Sequence, residues 1–170
     1  MDHINKAVFL DRDGVLNKLI ENRPPWKINE IVIFRSSKKL INLIKSKSYL
    51  PVVVTNQPDA ARGDITFDVI DKINLIICSH LEIENYYICK HGYDGICECR
   101  KPKPGMLKKA SFDLNIDLSQ SLMIGDRDKD IQAGLDAGCK TVFFSKTQNK
   151  YSNYNVKNHK QMLDLLTKIL

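Results

Sequence analysis

Five apolar runs of four or five residues, separated by stretches with apolar residues at every third or fourth position, set the strongest constraint on how this chain can fold. The runs are AVFLD (7–11), PVVVT (51–55), YYIC (86–89), LMIGD (122–126) and TVFF (141–144). Short, nearly continuous apolar runs are the signature of strands buried on both faces. Between them SSKKLINLIKSKS (36–48), TFDVIDKINLIICSHL (66–81), PGMLKKASFDLNI (104–116) and KDIQAGLDAG (129–138) carry helical spacing. Alternation of this kind predicts a mostly parallel, five-stranded sheet between helices, a three-layer α/β/α arrangement with its ligand site beyond the carboxyl ends of the strands. NHKQMLDLLTKIL (158–170) reads as an amphipathic helix docked on the sheet. KLIENRPPWKINEIVIF (18–34), with its prolines and polar residues, reads as a small flap after the first strand, and SKTQNKYSNYN (145–155) as a mobile surface connection.

Length then limits the organisation. A chain of 170 residues with 43% hydrophobic content can bury one such core, so residues 1–170 are read as one domain with no large cap. The formal charge of +6 suits an anionic partner, but the lysines are scattered, as on a solvated surface. The N-terminus MDHINKAVFL lacks the apolar stretch of a signal peptide, and no run approaches the length of roughly 20 residues that spans a bilayer. The expectation is a soluble cytoplasmic protein, a monomer without membrane contact.

Three of the runs close on polar residues, Asp11, Thr55 and Asp126, which the topology would bring to one crevice. In VFLDRDGVLN, Asp11 and Asp13 both leave the strand where Gly14 lets the chain turn away. Two carboxylates so close repel each other unless a cation lies between them or they work in different protonation states. Asp126, at a second strand end, would complete a hard oxygen site for Mg²⁺. Asp130, one helical turn on, is either a supporting carboxylate or an ordinary acid of a first helical turn.

Cysteine usage adds a second site. Cys78 and Cys139 read as small buried residues, but Cys89, Cys97 and Cys99 fall with His91 inside eleven residues, CKHGYDGICEC. In a reducing compartment such a cluster is a metal site, and three thiolates with one imidazole make a closed, structural tetrahedral set for Zn²⁺. Cys99 directly precedes Arg100 and Lys101, so a metal on the 89–99 loop would fix the segment that delivers two cations.

FLDRDGVLN, VVVTNQ, CRKPKPGM and MIGDRDKDI stand in the order and at roughly the spacing of the four motifs of the haloacid dehalogenase-like (HAD) phosphatases, and this chain resembles that family over residues 8–131. The resemblance implies a Rossmann-like HAD fold and a mechanism. Asp11 would attack phosphorus to form an aspartyl-phosphate, and Asp13 would serve as acid and then base. Thr55, the neighbouring Asn56 amide and Lys101 would bind the transferring group. Mg²⁺ would be held by the carboxylates of Asp11 and Asp126 and the main-chain carbonyl of Asp13.

The Cys-x-His…Cys-x-Cys-Arg-Lys-Pro pattern is similar to that of two branches of the family, which act on heptose bisphosphate and on histidinol phosphate; NQPDAARG and CRKPKPGML lie nearer the first. That branch implies substrate contacts from Arg100 and Arg127, while Arg62 of AARG is a further cation facing the substrate. Arg127 reads alternatively as a surface ion pair with Asp128 or Asp130, and Trp26 either stacks on substrate or packs the flap. A nucleic-acid-binding knuckle would leave Asp11, Asp13 and Asp126 without a purpose, because carboxylates repel phosphates unless a metal intervenes. The implied partner is a small phosphorylated molecule, with no nucleic acid.

Overall fold

A computed structural model describes residues 4–94 and 96–170; Gly95, inside the expected metal loop, and residues 1–3 of the N-terminal reading lie outside the described residues. The strands are β1 (Ala7–Leu10), β2 (Leu50–Asn56), β3 (Asn85–Cys89), β4 (Leu122–Gly125), β5 (Lys140–Phe144) and β6 (Tyr154–Val156). They form one sheet in the order β3-β2-β1-β4-β5-β6, and every pairing is parallel. The helices are α1 (Ser37–Ser46), α2 (Phe67–Leu81), α3 (Gly105–Leu114), α4 (Asp128–Ala137) and α5 (His159–Ile169).

Strand pleating sorts the core into two layers. Val8, Leu10, Val53, Ile124 and Val142 face one side and pack with residues of α1, α2 and α5, among them Leu40, Ile41, Ile77, Met162 and Leu166. Ala7, Phe9, Val52, Val54 and Met123 face the other and pack with α3 and α4 through Met106, Leu107, Ala110 and Ala133. Full burial of a side chain such as Phe9 or Leu10 contributes roughly 1.5–3 kcal/mol. β1 and β4, wholly buried, are the centre of the sheet, and both lead directly into acidic loops.

The sheet has six strands, not the five expected. Tyr154–Val156 is three residues long and lies at an edge, so neither its length nor its polarity marks it as a strand. It aligns with β5 through the pairs Val142↔Tyr154, Phe143↔Asn155 and Phe144↔Val156. The preceding segment is also more tightly built than a mobile connection. Asn149 is buried; its Oδ1 accepts from the Tyr151 and Ser152 amides, its own amide N–H donates to Asn155 Oδ1, and its Nδ2 donates to Asp128 Oδ1 at 2.7 Å.

Residues 18–34 form a compact flap. Asn17 bridges to Ile33 and Ile20 to Arg23, and Ile28–Glu30 makes a single 3₁₀ turn. Arg23 grips Glu30 through two hydrogen bonds of 2.9 Å and lies over the Trp26 ring at 4.4 Å. Leu19, Asn22, Arg23 and Pro24 of the flap lie at the carboxyl ends of β1 and β2, beside Asp11, Thr55 and Asn56.

Candidate active site and metal centre

The carboxyl ends of β1, β2 and β4 meet in a polar cleft of about 170 Å³ whose walls include Asp11, Asp13, Thr55, Asn56, Arg62, Tyr93, Arg127 and Lys129. Asp11 follows β1, and its amide donates to the Ile124 carbonyl at 2.9 Å, which fixes it beside β4. Gly14 then turns away at φ +93°; a Cβ there would collide with the Asp126 carboxylate, so glycine permits both the turn and the approach of the third acid. Gly125 meets the same limit, since a Cβ would run into the side chain of Asp130.

Lys101 is the fully buried hub of the site. Its ammonium donates to Asp11 Oδ1 at 2.7 Å and to the Val54 carbonyl at 2.8 Å, and lies 2.7 Å from Asp130 Oδ1. Burial would lower its pKa, but Asp11 and Asp130 outweigh burial and raise it, so it stays charged. The Asn56 side chain clasps the backbone of Lys101: Oδ1 accepts from its amide at 3.1 Å, and Nδ2 donates to its carbonyl at 3.0 Å.

Oxygens of Asp11, Asp126 and Asp130 lie within 4.8 Å of one another, three carboxylates around one ammonium. Burial, partly offset by Lys101 and reinforced by Asp130, Asp126 and Asp13, pushes the Asp11 carboxyl up to about 7. Burial and Asp130 push Asp126 up to about 6 against the pull of Arg127 and Lys101. Asp126 Oδ1 is buried with no hydrogen-bond partner among the described residues. An unpartnered buried carboxylate oxygen beside two more acids fits a hard divalent cation such as Mg²⁺. Asp130 does two things at once: Oδ1 pairs with Lys101, and Oδ2 accepts from the Arg127 amide at 3.1 Å in the first turn of α4.

Asp13 sits apart from that trio, gripped by donors. Arg12 donates to Oδ1 at 3.2 Å and to Oδ2 at 2.9 Å, Asn17 Nδ2 to Oδ1 at 2.8 Å, and Gln57 Nε2 to Oδ2 at 2.6 Å. Sequence reasoning missed Arg12 and Gln57. Gln57 left a signal: it stands two residues after Thr55, and side chains two apart along a strand share a face. Lys129, half-buried in the cleft wall, was also missed, because a lysine in the first turn of a helix looks like surface.

The other candidates are placed as follows. The Arg127 guanidinium lines the cleft and forms no ion pair among the described residues. Arg62 lines it as well but pairs with Asp59 at 2.5 Å and Asp64 at 2.9 Å. Arg100 turns to the loop, donating to the His91 and Gly92 carbonyls, with its guanidinium 5.1 Å from the Tyr93 ring centroid. Trp26 packs the flap, its indole N–H donating to Asp59 Oδ2 at 3.0 Å.

Cys89 ends β3 opposite Asn56 of β2, and the loop it begins brings the second cluster together. Cys89 Sγ lies 3.8 Å from Cys97 Sγ and 3.6 Å from His91 Nδ1, which lies 3.2 Å from Cys99 Sγ. A tetrahedron with zinc–sulfur bonds of ~2.3 Å has edges of about 3.8 Å, so these separations suit one zinc ion. Burial, with Cys89 and Cys97 close by, pushes the Cys99 thiol up to about 12.

Comparison with known proteins gives a consistent result. The HAD-hydrolase-like family matches residues 98–164. The D-glycero-beta-D-manno-heptose-1,7-bisphosphate 7-phosphatase of Pasteurella multocida is 36% identical over 155 residues, which cover 85% of this chain and 83% of that protein. The D-glycero-alpha-D-manno-heptose-1,7-bisphosphate 7-phosphatase of Campylobacter jejuni is 35% identical over 166 residues, 94% of each chain. The crystal structure of D,D-heptose 1,7-bisphosphate phosphatase from B. bronchiseptica, complexed with magnesium and phosphate, covers 97% of this chain and 99% of its own with a TM-score of 0.85; at 24% identity the likeness speaks for the fold.

Proposed function

The chain belongs to the haloacid dehalogenase-like phosphatases, and from that membership we propose that it hydrolyses a small sugar phosphate with Mg²⁺ through an aspartyl-phosphate, D-glycero-D-manno-heptose 1,7-bisphosphate being the ester it fits best. The observation that carries the reading is the convergence of Asp11, Asp13 and Thr55 on one cleft, with Asp126 beside Asp11 and the cations Arg127 and Lys129 in the cleft wall.

Lys101 engages Asp11 Oδ1 and so leaves the other carboxylate oxygen to face the cleft. That oxygen attacks phosphorus, forming the O–P bond of the aspartyl-phosphate as the bond from phosphorus to the ester oxygen breaks. Asp13 gives its proton to the departing oxygen, then takes one from the water that attacks phosphorus and releases Asp11. Thr55 Oγ1 donates to a phosphoryl oxygen. Asp11, Asp126 and the Asp13 carbonyl would hold Mg²⁺, supported by Asp130, and the cation would supply charge neutralisation on the phosphoryl oxygens. Arg127, Lys129 and Arg62 provide cations for a second phosphate. Arg100 reaches a substrate only by turning away from the loop carbonyls. Zn²⁺ at Cys89, His91, Cys97 and Cys99 would hold the segment that inserts Lys101, organising the site without acting on the substrate.

Phosphate release from D-glycero-D-manno-heptose 1,7-bisphosphate and from L-histidinol phosphate, with Asp11→Asn as the blank, tests the reading. The expected result is a kcat/KM preference for the bisphosphate of at least about a hundredfold, roughly 2.7 kcal/mol of discrimination. The opposite preference would assign the protein to histidinol phosphate.

A further inference from the structure

We propose that Gln57 is a positioning residue that couples phosphate recognition at Thr55 to proton transfer at Asp13. Its side-chain amide has two hydrogens, and both are committed: Nε2 donates to Asp13 Oδ2 at 2.6 Å and to Thr55 Oγ1 at 3.0 Å. Gln57 and Thr55 are each 1% exposed, so water does not compete for either bond.

The two bonds do different work. A hydroxyl that accepts from Gln57 must point its own proton elsewhere, and the open direction from Thr55 is the cleft. The hydroxyl is thereby oriented as a donor for a phosphoryl oxygen before any ligand arrives. At Asp13, Gln57 holds Oδ2 while Asn17 holds Oδ1 and Arg12 spans both oxygens, so donors from two chain segments fix the plane of the carboxylate. Arg12 is charged and almost wholly buried, and removing it would leave a buried carboxylate short of a counter-charge. Gln57 is the neutral member of the clamp and the one that also touches the phosphate site.

Its backbone is anchored too. The Gln57 amide donates to the Cys89 carbonyl at 2.7 Å, at the first residue of the Cys/His cluster, so the placement of that loop reaches Asp13 through a single residue.

The inference rests on Asp13 acting as acid and base, and the test separates the two. kcat/KM is measured for heptose 1,7-bisphosphate, whose departing alkoxide needs a proton, and for 4-nitrophenyl phosphate, whose phenolate leaves without one. Gln57→Leu should lower the second by roughly threefold to tenfold, the cost of a Thr55 hydroxyl no longer oriented, and the first by about a further tenfold or more, the cost at Asp13. Because the water step also slows, phosphorylated enzyme should accumulate with the aryl ester. Equal losses on both esters would overturn the coupling and leave Gln57 a part of the phosphate site alone. Equal losses in Asp13→Asn would instead overturn the acid role beneath it. Should Gln57→Leu not fold, Gln57→Met, close in volume, reads the same ratio.

Discussion

The carboxylate centre and the Cys/His loop solve one electrostatic problem with opposite amounts of scaffold. Each gathers groups that resist ionising together: burial with too little positive charge pushes Asp11 up to about 7, and burial with neighbouring thiols pushes Cys99 up to about 12. At the first centre the protein supplies much of the remedy itself. Lys101 bridges Asp11 and Asp130; Asp11 and Asp126 follow the ends of two central strands, and Asp130 sits in the first turn of α4. At the second, His91 is exposed, Cys97 and Cys99 are half-buried, and only Cys89 belongs to a strand. A site built on strands keeps its shape without its ion, whereas a loop cluster depends on the ion for its shape.

The sharpest way to break the comparison is to disarm each centre in turn. Asp11→Asn should reduce phosphate release by about 10⁴-fold, roughly 5.5 kcal/mol of barrier, with an unchanged far-ultraviolet circular dichroism spectrum. A well-folded variant with substantial turnover would remove the aspartyl-phosphate from the mechanism.

Lys101→Met attacks the scaffold of the same centre. It strands two buried carboxylates, so urea unfolding should show a loss of about 3–5 kcal/mol along with nearly all activity. A smaller loss at neutral pH would mean that the end of β1 and the first turn of α4 hold Asp11 and Asp130 without the ammonium.

Cys99→Ser should behave differently. Zinc content measured by atomic emission should fall, the melting temperature should drop by roughly 4–8 °C, equivalent to about 2 kcal/mol, and added Mg²⁺ should not restore it. The wild-type protein stripped with a thiol-competing chelator should follow the same course, while brief EDTA treatment that removes only Mg²⁺ should abolish activity reversibly.

The predictions fall mainly on residues that were legible in the sequence, for a physical reason. Asp11, Thr55 and Asp126 lie at abrupt changes from apolar to polar, and strand topology converts those changes into one crevice; Lys101 was legible through the family motif and its place two residues after Cys99. The metal loop was legible because its donors are close in sequence. What escaped depends on side-chain direction. Nothing local to Arg100 says that it turns to His91 and Gly92, and nothing local to Arg12 says that it is buried against Asp13. β6 escaped because β5 recruits it as an edge, through backbone bonds that leave little trace in three residues.

A smaller effect follows from pH. Asp11 and Asp126 rise from 3.8 to about 7 and about 6, so between those values the folded chain binds more protons than the unfolded one. Stability of the metal-free protein should therefore fall as pH rises from about 4 to 7, the reverse of the usual salt-bridged carboxylate. At pH 7.5, Mg²⁺ should raise the melting temperature and release protons, measurable by calorimetry in buffers of different ionisation enthalpy. A metal-free melting temperature that instead climbs through this window would mean that Lys101 alone satisfies the three acids.

The flap offers the finest contrast, since it touches the carboxylate centre only at the rim. Trp26 ties it to the body by one bond to Asp59 Oδ2, while Asp59 Oδ1 receives Arg62. Trp26→Phe keeps most of the ring that Arg23 covers but removes the donor, leaving a buried carboxylate oxygen with one partner fewer. A loss of about 1 kcal/mol is expected at that bond. Because the flap and Arg62 line the cleft without touching Asp11, the loss should appear as a severalfold rise in KM with kcat almost unchanged. A fall in kcat of the same size would show that closing the flap, and not only binding beneath it, sets the geometry of the Asp13 clamp.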